Sequence, residues 1–425
     1  MRMRSLIGIM VVAMALLAAA CSGGSTATTT ATTAATTATT AATTATTTAT
    51  TATTEATTTT VPAKPIMVGA AIDLTSFMAP FDAPAALAGK LIFDDTNAAG
   101  GVDGRQFKFV QTDTQAVAEQ YKAAATGDVA DGASVIWVTC DVDIATPAIQ
   151  VGLEAGLLTV APCIGTDQMG PKRFGEAGNL AFSFGNEAQD EGAAMAEYAI
   201  GQGWKTAVIV RDNMLVYFQN VVDAFKQRFV ELGGEIVLEE NFTNGDGTIG
   251  NVASSVANTQ ADVVAISTSF NDLPGFVTAD RSLADNKPIL CSWACDGAYW
   301  VPKDLSNFYY VTYASVFGDD PSPEVTDLIA RMDAAGSKPT TGGFVGGADA
   351  AKAIAAAIEA TGGTDGQALA GFLENLKNFP GVAGPISFSK DTHTVFGRPY
   401  RVIRITNGEH AVVDVLSATS PATIP

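Results

Sequence analysis

From Ile66 onward, short β-branched runs alternate with longer stretches in which apolar residues recur at helical spacing, which predicts strands of a parallel sheet covered by helices. The first strands are predicted at 66–74 (IMVGAAIDL), 106–113 (QFKFVQTD), 134–140 (SVIWVTC) and 157–163 (LLTVAPC). A helix over 83–98 separates the first two and stops at Gly100 and Gly101, the residue type that most easily leaves a helix. A second series begins at Thr206 with TAVIVRD and continues with EIVLEENF (235–242), ADVVAIST (261–268) and PILCSWA (288–294). Two such series predict an α/β fold of two doubly wound parallel-sheet lobes.

Two strand-like segments, LAFSFGN (180–186) and FYYVTYASVFG (308–318), stand where one series gives way to the other. Helices over 322–335, 345–361 and 366–377 follow, and a hairpin, RVIRITNGEHAVVDV, closes the chain with a turn at Asn407-Gly408. The economical path builds lobe one from 63–184, crosses to lobe two (185–317), returns to lobe one (318–385) and crosses again to finish lobe two (386–418). Each of the three crossings is a hinge.

Upstream the pattern changes. Arg2 and Arg4 precede an apolar run from Leu6 to Ala20, the layout of a secretory signal peptide over 1–20, and about fifteen residues are too few to span a bilayer. Residues 26–60 are almost wholly Ala and Thr with one charge, Glu55, so they cannot bury enough apolar surface to offset the entropy of ordering. This predicts a disordered tether over 21–62, its ends roughly 35 Å apart on average. Ala18, Ala19 and Ala20 before Cys21, with Ser-Gly-Gly after it, resemble the lipobox of bacterial lipoproteins, which implies lipidation of Cys21 and anchoring at the outer face of the cell membrane. Ordinary cleavage after an Ala-x-Ala site, leaving a free thiol, is the alternative.

Charge and chemistry narrow the function. Acidic residues outnumber basic ones 44 to 24, which argues against a nucleic-acid partner, since phosphate binding needs a basic face. Export permits disulfides, and the four cysteines beyond Cys21 allow three pairings. Cys140 and Cys163 end consecutive strands that can lie side by side about 5 Å apart, and Cys291 and Cys295 share a loop, so bridges 140–163 and 291–295 are expected. Zinc fits poorly: the Cys291-x3-Cys295 spacing is loose, and both histidines, His393 and His410, fall in the C-terminal hairpin region, where an exposed loop histidine is ordinary. The chain carries no Gly-x-Ser-x-Gly elbow, no phosphate loop, no dinucleotide turn and no His-Glu-x-x-His, so no enzyme, cofactor or metal is expected.

The order of these elements, the stretch NAAGGVDGRQF (97–107), the long helix in GFVGGADAAKAIAAAIEATGG and the crossover and hairpin in PISFSKDTHTVFGRPYRVIRITNGE together resemble the type 1 periplasmic binding proteins. The likeness is to the leucine/isoleucine/valine-binding branch that feeds ABC importers, and runs from Ile66 to about Val415. It implies two lobes that close on a small polar ligand, an amino acid or a related compound, and deliver it to an ABC permease. A receptor that reports the ligand to a membrane partner is the alternative.

In open parallel sheets ligands sit at the carboxyl ends of the strands, which nominates six loops: Ser76-Phe77, 141–144, 163–167, 213–217, 269–272 and 293–296. The resemblance sets Asp141 or Asp143 in place of a hydroxyl residue, puts Cys163 and Thr166 in the next loop, and matches Tyr217 and Phe270 to aromatics. It puts Trp293 or Asp296 where an ammonium-binding acid belongs. An acid in place of a hydroxyl repels a carboxylate, so a ligand bearing an amine, a guanidinium or several hydroxyls is expected. Alternatively, Asp143 or Asp141 caps the helix beginning near Ala145.

Overall fold

All seven residues of the first strand, β1 (Ile66–Ile72), are buried, as they must be when helices cover both faces of a parallel sheet. The computed structural model describes residues 64–423, so the expected signal peptide, the expected tether and Cys21 lie outside the described residues. Four more strands follow in the first lobe: β2 (Phe107–Asp113), β3 (Val135–Val138), β4 (Leu158–Ala161) and β5 (Ala181–Asn186). Their connections carry α1 (Ala79–Ala98), α2 (Ala118–Ala130), α3 (Val142–Glu154) and the short α4 (Pro171–Phe174). The chain then crosses and builds β6 (Thr206–Asp212), β7 (Glu235–Phe242), β8 (Val263–Ser267), β9 (Ile289–Cys291) and β10 (Phe308–Thr312), with α5 (Ala188–Gly201), α6 (Val216–Glu231), α7 (Ile249–Ala257) and α8 (Asp272–Ser282).

After β10 the chain returns to the first lobe through α9 (Pro323–Ala334), α10 (Phe344–Thr361) and α11 (Gly366–Glu374), then a small hairpin of β11 (Phe379–Gly381) and β12 (Gly384–Ile386), and β13 (Thr394–Val395). It finishes in the second lobe with β14 (Tyr400–Thr406) and β15 (Glu409–Leu416), joined at Asn407 and Gly408, whose φ angles of 51° and 75° suit a type I′ turn. The first sheet has strand order β13-β5-β4-β3-β1-β2 and is parallel throughout. The second, β15-β14-β10-β9-β8-β6-β7, is parallel from β10 to β7 and antiparallel at its β14 and β15 edge.

Three local departures from the sequence reading have physical causes. The last crossing falls at 396–399 rather than at 386, because β12 pairs back on β11 and Thr394 and Val395 still pair with β5. The strand expected over 308–318 stops at Thr312, and Tyr313 onward forms the second crossing. His393 is buried, not exposed, with its ring stacked 4.0 Å from that of Phe182, and His410 is half-buried, stacked 4.1 Å from Phe317. Burial therefore lowers both imidazole pKa values, that of His410 to about 4.

Arg398 ties the three crossings together. Its fully buried guanidinium donates to Phe184 O (2.9 Å) and Asn186 Oδ1 (2.8 Å) at the first crossing, lies 5.5 Å from the ring of Tyr313 at the second, and pairs with the buried Asp349 of α10 at 2.9 Å. Both expected disulfides form, Cys140–Cys163 with Cα atoms 4.8 Å apart and Cys291–Cys295 at 6.1 Å. The first joins the segments just beyond neighbouring strands β3 and β4, which their parallel pairing brings side by side.

Candidate functional site

The carboxyl ends of the two sets of strands face each other across a cleft, and the cleft is shut. From the first lobe its wall takes Met78 and Phe81 at the start of α1, Cys140 and Asp141; from the second it takes Leu215, Tyr217 and Phe218 at the start of α6, and Ser269, Phe270, Trp293 and Ala294 in the loops after β8 and β9. The space between them is small, about 30 Å³, and remains partly open to solvent. Aromatic rings meet across it: Phe77 and Phe270 with centroids 5.0 Å apart and Phe81 and Trp293 at 5.1 Å, both edge to face. Phe270 sits at φ 57°, in the left-handed region that a bulky residue enters only when its surroundings hold it there.

Asp141 is the N-cap of α3. Its Oδ1 accepts from Ile144 N at 3.0 Å, so α3 begins at Val142 and the capping aspartate is Asp141 rather than Asp143. Burial, reinforced by the neighbouring Asp143 charge, raises its pKa to about 7. Asp143 stands apart from the cavity wall, accepting from Arg173 Nη1 at 2.6 Å and from Val216 N, the first residue of α6, at 2.9 Å. It therefore joins the two lobes.

Thr166 also joins the lobes: its hydroxyl donates to Asn220 Oδ1 of α6 at 2.8 Å. Cys163 is held in its disulfide, fully buried. Ser76 lies in the loop shaped by Asp73, whose Oδ1 accepts its backbone N–H at 2.7 Å, and Phe77 stands at the rim, 41% exposed. Asp296 is fully buried and accepts from Thr312 Oγ1 (2.7 Å) and Gly342 N (2.5 Å), which ties the loop after β9 to the second crossing; burial raises its pKa to about 7. Of the ten residues nominated from sequence, Asp141, Tyr217, Phe270 and Trp293 line the cavity.

Sequence reasoning missed Glu191, on α5 just behind the wall. Its Oε1 accepts from the Tyr217 hydroxyl (2.8 Å) and from Trp293 N (2.6 Å), its Oε2 has no partner, and burial raises its pKa to about 7. An acid among small residues in AQDEGAAMAEYA was the available signal. Met78, Phe81, Leu215 and Phe218 were missed because apolar residues at a helix start read as ordinary core. Two buried donors at the wall, Trp293 Nε1 and Ser269 Oγ, have no hydrogen-bond partner. No lysine or arginine lines the cavity, and among the described residues no group of three His, Cys, Asp or Glu side chains stands at metal-binding spacing.

Two α/β lobes joined by three crossings, with a cleft at the strand ends, define the two-lobed binding proteins as a class. The chain belongs to the periplasmic binding protein family, whose model matches residues 65–409. It is 23% identical over 332 residues to the Leu/Ile/Val-binding protein homolog 1 of Brucella suis, an alignment covering 76% of this chain and 86% of that protein. Its fold matches the branched-chain amino acid transporter substrate binding protein LivJ from Streptococcus pneumoniae, solved with isoleucine, at a TM-score of 0.73 and 20% identity, covering 83% of this chain and 99% of the other. A solute binding protein of an ABC transporter from Rhodopseudomonas palustris, solved with 3,4-dihydroxybenzoic acid, matches at a TM-score of 0.70 and 17% identity, over 84% and 98% of the two chains. Proteins of this family are extracytoplasmic, and among the described residues no helix is long and apolar enough to cross a membrane.

Proposed function

We propose that this protein is a lipid-anchored solute-binding component of an ABC importer that captures a small molecule between its lobes. The observation that carries the reading is the cleft itself: residues from both lobes meet there around buried polar groups that lack partners. Ligand contacts made only in the closed state shift the balance between open and closed forms, and a permease then distinguishes the two. Asp141, Tyr217, Phe270 and Trp293 touch the ligand; Asp143 and Thr166 bind lobe to lobe and favour closure; Cys21 carries the lipid and 21–62 sets the distance from the membrane. The domain division follows the sheets, with lobe one ending near Val395 on its second pass.

A panel of small metabolites tests the reading by melting temperature. Free ligand at a hundredfold over its dissociation constant adds about 2.7 kcal/mol of stability. Failure of several hundred metabolites to move the midpoint would count against solute capture. Mass spectrometry of the membrane-extracted N-terminus tests the acylation of Cys21, and an unmodified thiol there would remove the anchor.

A further inference from the structure

Resting on that reading, the cleft composition narrows the ligand. We infer that the ligand is an organic cation, an amine or quaternary ammonium on an apolar body, without a carboxylate. Three observations converge on this class. The first is the charge of the wall. Asp141 is its one ionisable acid, 4% exposed, Glu191 lies directly behind it with an unpartnered oxygen, and no basic side chain faces either of them from the wall. The guanidiniums near the region are committed elsewhere, Arg398 to Asp349, Phe184 O and Asn186, and Arg173 to Asp143 at 2.6 Å, so that Arg173 offsets only part of the burial of Asp141. A ligand carboxylate would be desolvated against two carboxyl groups with no cation to meet it, whereas an ammonium supplies the missing counter-charge.

The second observation is aromatic. Phe81, Tyr217, Phe218, Phe270 and Trp293 surround the space, and the negative faces of such rings attract a desolvated cation at short range. The third is the direction of the Tyr217 hydroxyl. Its hydrogen is donated to Glu191 behind the wall, so this hydroxyl has no hydrogen left to offer a ligand carboxylate. Trp293 Nε1 and Ser269 Oγ, both buried and unpartnered, can serve a neutral oxygen on the ligand, such as a hydroxyl or amide. The raised pKa values of Asp141 and Glu191 agree: burial raises both, the Asp143 charge adds to the rise at Asp141, and Arg173, paired with Asp143, offsets it only in part.

An isosteric series tests the inference on the mature protein by calorimetry: phenethylamine, phenylalanine, phenylacetate and 2-phenylethanol share one ring and differ in charge, and choline probes the quaternary case. Phenethylamine or choline should bind at least about tenfold more tightly than the zwitterion or the anion. The variant Asp141→Asn should lower affinity for the cation by about tenfold or more without lowering the melting temperature of the unliganded protein, since asparagine caps a helix as well as aspartate and carries no buried charge. Tighter binding of phenylalanine or phenylacetate overturns the cation assignment and leaves solute capture standing. So does undiminished cation affinity in Asp141→Asn. If no member of the series binds but another metabolite does, the cation class falls alone; if nothing in the wider panel binds either, solute capture falls with it.

Discussion

Removing the Arg398 guanidinium should be among the most damaging single changes to this protein. The pair Arg398–Asp349 is fully buried at 2.9 Å. In Arg398→Met the aspartate keeps one hydrogen bond, from Val382 N at 2.8 Å, and loses its cation, while Phe184 O and Asn186 Oδ1 lose their donor. Breaking a buried pair by deleting one partner costs about 3–5 kcal/mol, and stranding the two acceptors adds to that, so a loss of about 4 kcal/mol or more is expected from a total that is typically about 5–15 kcal/mol. Urea unfolding at pH 7 measures it. In an Asp349→Asn background the same change should cost about 2 kcal/mol less, because the stranded charge is gone, and the double-mutant cycle reports that difference. A loss under about 1 kcal/mol in the single variant, or strict additivity in the cycle, would refute the view that this pair clamps the three crossings.

Stability should also depend on pH in a direction opposite to that of a surface-salt-bridged protein. Asp82, Asp141, Glu191 and Asp296 are raised to about 7 and Glu187 to about 8, chiefly by burial, so the native state holds protons that the unfolded chain releases, and stability present at pH 4–5 is lost as pH rises through about 7 to 8. The histidines oppose this only below about pH 6.5, and carboxyls held low by hydrogen bonds, such as Asp113 and Asp262, oppose it only below about pH 4, so neither acts where the raised acids ionise; a ligand-free melting temperature that rose from pH 6 to pH 8 would contradict the assignment. Reducing Cys140–Cys163, which closes 23 residues, should lower stability by about 3 kcal/mol, and an unchanged urea midpoint with and without reductant would count against it. A chain beginning at Pro62 should bind ligand as tightly as the longer one, because the Ala/Thr tract has no apolar surface with which to join either lobe; calorimetry on both lengths checks this.

Periodicity along the chain was enough to locate the sheets. Continuous apolar runs such as IMVGAAI and VVAIS, short and bounded by polar or turn residues, read as buried strands, and their alternation with helices leaves a doubly wound topology as the economical solution. Local geometry likewise carried the two disulfides: Cys140 and Cys163 follow neighbouring parallel strands whose ends lie close, and Cys291 and Cys295 are only four residues apart. The last crossing was less legible, because two residues of strand, Thr394 and Val395, carry almost no pattern and owe their place to pairing with β5.

What sequence alone determined was therefore the set of loops at the strand ends and the identity of the side chains on them. Which of those side chains face the cleft was decided by tertiary contact. Asp141 and Asp143 are two residues apart in the same turn, yet one is held at the cavity by capping α3 and the other is drawn to Arg173 and the start of α6. Glu191 gains its role only because α5 brings it against Tyr217 and Trp293, residues 26 and 102 positions away. Local hydrogen bonding and hydrophobic period act over a few residues and can be read along the chain; the electrostatic environment of a cleft is a sum over groups from distant segments, and it exists only once the two lobes have brought them together.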